Sequence, residues 1–161
     1  MSVQADIAIA SPLWSSSPQA EDAVRRAILA SEVFFEPCDA EVSVLLCDDA
    51  EIRRLNAQWR GKDTATNVLS FPSSMQQPGV RHLGDIAVAY ETLVREAKDE
   101  GKTFFDHLSH LIVHGYLHLL GYDHQADGEA NEMEDMERAI LAELGIGDPY
   151  QGEPGLMQDA Q

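Results

Sequence analysis

Short apolar segments early in the chain have the pattern of β-strands. Residues 3–10 alternate polar and apolar side chains, which is the period of a strand with one buried face. Val and Leu dominate residues 41–47, and shorter apolar runs cover 67–71, ended by Pro72, and 84–89. Aliphatic and β-branched runs bounded by turn residues are typical of strands. The pattern therefore predicts four strands.

Helical periodicity fills the stretches between and after these strands. Ser17 and Pro18 are a good N-cap and first-turn pair, and the apolar stripe behind them predicts a helix to about Phe35. Asp48 or Asp49 is the predicted cap of a short second helix. Three more helices are predicted at about 91–98, 103–120 and 129–144. Strands first and helices later indicate an α+β fold, a single mixed sheet of about four strands covered by about five helices.

Length and apolar content bound the class of protein. A chain of 161 residues suits one domain with its own core, which we expect over 1–150, followed by a flexible tail over 151–161. No apolar run approaches the roughly 20 residues that span a bilayer, and no secretory leader is seen. We therefore expect a cytoplasmic protein with no membrane partner. Cys38 and Cys47 fit neither a disulfide framework nor a metal motif, and are expected to be small buried thiols.

The charge is strongly acidic but unevenly distributed. The formal net charge is −17, which argues against nonspecific nucleic-acid binding by the surface as a whole. Residues 127–143 carry seven acidic side chains against one basic residue, Arg138, whereas residues 52–82 carry five basic side chains against one acid, Asp63. The five are Arg53, Arg54, Arg60, Lys62 and Arg81. Such a basic segment can bind a polyanion if it lines a cleft. The open alternative is that its basic side chains only neutralise neighbouring acidic side chains.

The most informative motif is the histidine run in the fourth predicted helix. His114 and His118 are four residues apart and therefore share one helix face. Gly121 can end the helix in a left-handed conformation, so that His124 returns to the same point. Three converging imidazoles are the ligand set of an open catalytic zinc site. We predict a metal site at the C-terminal end of this central helix, with His114, His118 and His124 binding one Zn²⁺ ion.

The remaining histidines are not predicted to be ligands. His107 precedes His114 by seven residues and lies about 10 Å away along the helix axis, too far to share an ion with Zn–N bonds of about 2.0–2.1 Å. We interpret His107 and His110 as ordinary surface groups, with positions near the substrate or behind the metal ligands as alternatives. His82 is expected to be an exposed loop residue.

Several other residues have open alternatives. Asp123 either orients an imidazole or caps the turn. Asp85, beside a strand glycine, is a candidate for a position behind the metal ligands or for proton handling, and a turn or capping role is the commoner alternative. Met133 and Met136 are three residues apart in an acidic helix, so we expect them to pack in the core.

The histidine spacing also matches the zinc-binding run of the metzincin proteases. Those enzymes place a catalytic glutamate directly after the first histidine, and here that position is Gly115. The motif thus favours a metal site but disfavours peptide hydrolysis.

Taken together, the motifs resemble the YbeY family, the bacterial metal-dependent endoribonucleases of ribosomal RNA maturation. The resemblance extends over about residues 40–150 and is most specific at the histidine run and at the segment from Leu55 to Pro72. The matching segments are Leu55-Asn56 with Trp59–Asp63, Thr66–Pro72, Leu83–Ile86, Leu119–His124 and Gly147–Tyr150.

The resemblance implies that His114, His118 and His124 hold zinc and that Arg60 is the functional arginine of the cleft. It also implies a single-strand-directed endoribonuclease of small-subunit ribosomal RNA maturation and ribosome quality control. The implied partners are ribosomal RNA, the small ribosomal subunit and its assembly factors. For Arg60, the alternative is a surface side chain stacked on Trp59 or paired with Asp63.

Arg60 suits phosphodiester cleavage because a guanidinium binds phosphate with two parallel hydrogen bonds and stays charged. A zinc-activated water or the 2′-hydroxyl of the RNA would attack, and the general base stays open. The alternatives are a zinc metallopeptidase without the usual glutamate, a non-enzymatic ribosome assembly factor with structural zinc, and a metal hydrolase of small molecules.

Overall fold

The computed structural model describes residues 2–73, 81–122 and 127–150. Within these ranges the chain forms four strands and five α-helices, with a short 3-10 helix at Pro12–Ser16. The strands are β1 (Val3–Ile9), β2 (Ala40–Cys47), β3 (Val68–Pro72) and β4 (Arg81–Ala89). The helices are α1 (Ala20–Glu32), α2 (Asp49–Arg60), α3 (Tyr90–Glu100), α4 (Phe104–Leu119) and α5 (Asp127–Glu143).

The strands form one mixed sheet in the order β1-β2-β4-β3. β1, β2 and β4 run parallel, with Val44 beside Ile7 on one side and Ile86 on the other. β3 is an edge strand that pairs antiparallel with β4, and Ser70 lies beside Ile86. The predicted fold, a single mixed sheet of four strands with five helices, is therefore confirmed.

Alternating side chains of the sheet build a core on each face. Val42, Val44 and Leu46 of β2 belong to the larger core with α1, α4 and α5, while Cys47 belongs to a smaller core with Ile52 of α2. Helix α4 contacts α1, α3, α5, β3 and β4. Helices and the sheet surround α4, so its polar side chains also contact protein. The four histidines of α4 are therefore buried or partly buried.

The start of α1 differs from the prediction. Ser17 is not its N-cap, since the helix begins at Ala20 and is preceded by Gln19, which forms no side-chain cap. The Ser17 N–H instead bonds the Trp14 carbonyl at 3.0 Å and closes the 3-10 turn. The Trp14 ring is buried and its Nε1–H donates to the Cys47 carbonyl at 2.8 Å. This long-range contact keeps the chain in the 3-10 turn where local sequence favours a helix start.

Other local predictions are confirmed. Asp48 caps α2, since its Oδ1 accepts a hydrogen bond from the Glu51 N–H at 2.9 Å. Met133 is fully buried and Met136 packs against the same core. Cys47 is buried as expected, but Cys38 is only partly buried, so the expectation was right for one thiol only.

No helix among the described residues is both long and apolar enough for a membrane span. The predicted tail, residues 151–161, lies outside the described residues.

Candidate active site

Two of the predicted metal ligands meet at the C-terminal end of α4. The Nε2 atoms of His114 and His118 are 3.1 Å apart, and both side chains are partly buried. Tetrahedral zinc with Zn–N bonds of about 2.0–2.1 Å holds two ligand nitrogens about 3.3 Å apart. The two imidazoles are therefore spaced as a shared ion requires.

The opposite nitrogen of each ring bonds an oxygen acceptor. Nδ1 of His114 lies 2.6 Å from Oε2 of Glu137, and Nδ1 of His118 lies 2.9 Å from the Tyr122 carbonyl oxygen. A carbonyl or a carboxylate only accepts hydrogen bonds, so we assign the ring hydrogen of each neutral histidine to Nδ1. Each Nε2 then carries a lone pair. Two lone pairs directed to one place suit a bound cation.

Gly121 forms the turn that follows these histidines. Its φ is +103°, in the left-handed region that glycine adopts without steric cost. Its N–H donates to the His118 carbonyl at 3.0 Å, and the Tyr122 N–H donates to the Leu117 carbonyl at 3.1 Å. The predicted helix end is confirmed, and the turn returns the Tyr122 carbonyl to the ring of His118.

The third predicted ligand, His124, and its neighbour Asp123 lie outside the described residues. Within the described ranges, no group of three or more His, Cys, Asp or Glu side chains forms a potential metal site. His114 and His118 are thus brought together as predicted, and ligation by His124 stays a prediction.

Glu137 is a site residue that sequence reasoning missed. Its side chain is 0% exposed, and its two oxygens contact three side chains. Oε2 accepts from His114, while Oε1 accepts from the His110 Nε2–H at 3.3 Å and from the Tyr150 hydroxyl. One signal was available, since Glu137 follows Met133 by four residues and precedes Ile140 by three, which places it on the apolar stripe of α5.

The contacts of Glu137 favour the ionised form of its carboxyl. Burial alone would raise its pKa, but hydrogen bonds from His110 and His114 outweigh burial and hold the pKa well below its usual range. Burial lowers the pKa of His110, so that ring is neutral near pH 7 and donates as a neutral imidazole. Burial and the nearby Glu137 charge raise the pKa of Tyr150, which keeps its hydroxyl proton as a donor.

The surface interpretation of His107 and His110 was wrong. His107 is 3% exposed, and its Nε2 lies 2.9 Å from Oε1 of Glu96 on α3. His110 is largely buried against α5 and shares the Glu137 carboxylate with His114. Both errors have one cause, since neighbouring elements cover α4 even at its polar positions.

Two other predictions about β4 also change. His82 lies in β4 rather than in a loop, is partly buried, and has its Nε2 3.5 Å from the Ser43 hydroxyl. Asp85 is exposed in the middle of the same strand, between Ser43 and Phe71 in register. Asp85 is therefore neither a turn nor a capping residue, and its role in proton handling stays a prediction.

Arg60 is the last residue of α2 and reaches across edge strand β3. Its Nη2–H donates to the Ser70 carbonyl at 2.6 Å, and its guanidinium carbon lies 5.5 Å from the centre of the Phe71 ring. The Ser70 hydroxyl donates to the carbonyl of Gly115, the residue after His114, at 3.2 Å. One strand residue thus connects Arg60 to the histidine helix.

The alternative that paired Arg60 with Asp63 was wrong. Asp63 binds Arg53 through two hydrogen bonds of 2.8 and 3.1 Å, and these lower the pKa of the Asp63 carboxyl. Arg54 bonds Glu51 and Gln58 on its own helix. The Arg60 guanidinium lies over the Phe71 ring instead of over Trp59, a residue that is 65% exposed. Part of the basic segment therefore balances neighbouring acids, as one interpretation held, while Arg60 contacts a carbonyl and an aromatic ring.

Gly115 is packed against the sheet. A Cβ at this position would lie 3.0 Å from the Ser70 hydroxyl and 3.1 Å from Cγ2 of Ile86. The position at which a metzincin holds its glutamate therefore faces β3 and β4, and a side chain there would have to displace its neighbours. This geometry strengthens the case against a peptidase.

The fold and the histidine pair define the class, an α+β domain with paired imidazoles at the end of its central helix. A family model described as Endoribonuclease YbeY matches residues 14–145. The chain belongs to the YbeY family.

Two relatives named Endoribonuclease YbeY agree with this assignment. An Endoribonuclease YbeY of Bradyrhizobium sp. strain BTAi1 is 55% identical over 154 residues, covering 90% of each chain. An Endoribonuclease YbeY of Rhodopseudomonas palustris strain BisA53 is 52% identical over 161 residues, covering 96% of this chain and 94% of the relative. The solution structure of TM1509 from Thermotoga maritima aligns with a TM-score of 0.48 at 26% identity, covering 94% of this chain and 99% of that one.

Proposed function

We propose that this protein is a zinc-dependent endoribonuclease that cuts single-stranded segments of ribosomal RNA during small-subunit maturation and quality control. The observation that carries the proposal is the pair of Nε2 atoms, 3.1 Å apart, whose rings each bond an oxygen through the other nitrogen. The names of the relatives, Endoribonuclease YbeY, supply the activity. Its partners are the small ribosomal subunit and its assembly factors, in the cytoplasm.

His114, His118 and His124 would hold the zinc. A bound zinc ion supplies Lewis acidity and lowers the pKa of water at the site to about 7. The glycine turn at Gly121 supports the position of the second ligand because it fixes the ring of His118 through the Tyr122 carbonyl. The nucleophile in the proposed reaction is a water molecule or the 2′-hydroxyl of the RNA.

Arg60 would stabilise the negative charge that develops on the phosphoryl oxygens. A guanidinium has five N–H donors in a planar fork, and the Ser70 carbonyl accepts one of them, so donors remain for a phosphate. The Phe71 ring and Ser70 hold the group at the β3 edge. The exposed Trp59 beside it offers a surface on which an unpaired base can stack.

Arg60→Ala tests this role, with Arg54→Ala as the matched control. Both residues are exposed arginines of α2, but Arg54 bonds side chains of its own helix. We expect Arg60→Ala to lower the rate of ribosomal RNA cleavage by about 10²–10³, as loss of one charge-stabilising donor does, with unchanged zinc content. Arg54→Ala should cleave as the wild type does.

His114→Ala is included to detect contaminating nuclease. It should lose both zinc and cleavage, and any cleavage that it retains belongs to another enzyme. Equal cleavage by the Arg60 and Arg54 variants would reject the role of Arg60. Absence of chelator-sensitive cleavage by zinc-loaded wild type would reject the proposed function and favour a non-enzymatic assembly factor.

A further inference from the structure

Glu137 carries a buried negative charge, and transfer of a charge from water to the protein interior costs free energy. Carboxylates are almost never fully buried unless they are paired and hydrogen-bonded, and this one is 0% exposed on the apolar stripe of α5. Its interactions must offset the loss of hydration. All of its contacts named above connect it either to the histidine helix or to the segment after α5. The charge therefore joins three parts of the fold at one point.

The two carboxylate oxygens have different contacts. Oε2 faces His114, at 2.6 Å from Nδ1, whereas Oε1 accepts from His110 and Tyr150. A carboxylate held at one oxygen by two donors cannot rotate freely. The other oxygen is then presented to His114 in a fixed direction.

The contacts of Tyr150 are themselves anchored. Its N–H donates to Oδ1 of Asp148 at 2.8 Å, and Arg138 of α5 bonds Asp148 at 3.1 Å. The guanidinium carbon of Arg138 also lies 5.3 Å from the centre of the Tyr150 ring, within cation–π range. These contacts fix the Tyr150 hydroxyl over the carboxylate and explain why the chain after α5 folds back on the helix.

We propose that Glu137 is the positioning residue of the metal site: its carboxylate fixes the ring of His114 and keeps the hydrogen on Nδ1, so that Nε2 is the metal-binding atom. This inference rests on the zinc site of the proposed function. Glu137 acts through His114 and does not touch the reacting atoms. A carboxylate behind a metal-binding histidine fixes its tautomer and raises its basicity.

The two described ligands are held by acceptors of different strength. His118 donates to a neutral carbonyl at 2.9 Å, while His114 donates to an anion at 2.6 Å. Hydrogen bonds to ionised acceptors are shorter and about twice as strong as neutral ones. Loss of the Glu137 charge should therefore weaken the metal site through His114 and leave the turn at His118 intact.

The test is the zinc affinity of Glu137→Gln, measured by competition with a chromophoric chelator, with Glu96→Gln as the matched control. Glu96 forms the other carboxylate–imidazole pair of α4, 2.9 Å from the buried His107. Both substitutions keep the shape and remove one charge. We expect Glu137→Gln to weaken zinc binding by about 10–100-fold, and Glu96→Gln to bind zinc as the wild type does. Equal affinities for both variants and the wild type would overturn the positioning role.

A second measurement needs no variant and no metal. In zinc-free wild type labelled with ¹⁵N at histidine, long-range proton–nitrogen correlation spectra at pH 8 distinguish the two tautomers of each ring. We expect the His114 hydrogen on Nδ1; a hydrogen on Nε2 would overturn the inference even if Glu137→Gln failed to fold. If the wild type has this tautomer but binds no zinc, the zinc site and the proposed function are rejected. The geometry of the Glu137–His114 pair would still be confirmed.

Discussion

Gly115→Ala separates the effect of packing from that of helix propensity. Alanine in a helix interior is favoured over glycine by about 0.8–1.0 kcal/mol, so propensity alone predicts stabilisation. The new Cβ would lie 3.0 Å from the Ser70 hydroxyl and 3.1 Å from Cγ2 of Ile86, a fully buried residue. Overpacking in a closed core costs about 1–3 kcal/mol.

The net expectation is a loss of about 1 kcal/mol in the free energy of unfolding. For a domain of this size, that loss lowers Tm by about 2–4 °C. The measurement is urea unfolding of the zinc-free protein followed by far-UV circular dichroism, with calorimetry for Tm. Absence of zinc keeps any change in metal affinity from adding to the stability difference.

Gly128→Ala is the control, because Gly128 is an exposed residue of α5. Among the described residues, and apart from its chain neighbours and its own helix backbone, a Cβ there would meet no atom within 4 Å. This variant should be stabilised by up to about 1 kcal/mol. Ser70→Ala removes the nearest contact of the new Cβ. In this background, Gly115→Ala should lower the free energy of unfolding by less than it does in the wild type. Stabilisation of Gly115→Ala equal to that of Gly128→Ala would refute the packing argument.

Two further predictions concern stability. Asp48→Ala removes the cap of α2 and should cost about 1 kcal/mol in urea unfolding, whereas Arg26→Ala, which breaks an exposed pair with Asp22 on α1, should cost about 0.3–0.5 kcal/mol; equal losses would contradict the capping role. For Glu96, burial raises the pKa but hydrogen bonds from His107 and Asn67 outweigh it and lower the pKa below 4.5. The unfolded state then binds more protons than the folded state between that lowered pKa and about pH 4.5. The contribution of Glu96 to the free energy of unfolding is complete above about pH 4.5 and is lost as the pH falls through the lowered pKa. The free energy of unfolding, measured from pH 7 to pH 3, should therefore depend less steeply on pH in Glu96→Gln than in the wild type. An unchanged slope would contradict the ionised pair.

The sequence was a reliable guide where structure is set by neighbours along the chain. Strand periods, the Asp48 cap and the glycine turn at Gly121 depend on residues within a few positions of each other. The pairing of His114 with His118 has the same origin, since a helix places residues four apart on one face. Residues close together in the chain therefore specify these features without reference to tertiary packing.

Errors arose where distant elements meet. His107 and His110 are polar, as most surface residues are, but α3 and α5 cover their side of α4. Ser17 has the chemistry of an N-cap, yet the bond between Trp14 and Cys47 keeps the chain in a 3-10 turn. Local preference is a weak term, and tertiary contacts override it.

The sequence by itself determined the elements, the fold class and the histidine pair, because short-range periodicity and helix geometry specify all three. Only the tertiary structure decided that Glu137 lies behind His114, that Gly115 faces the sheet, and that Arg60 reaches the strand beside the histidine helix. The reason is that each of these contacts joins residues far apart in the chain. These contacts depend on which faces of the helices and strands pack together, and the local sequence pattern of one element does not specify the element that packs against it.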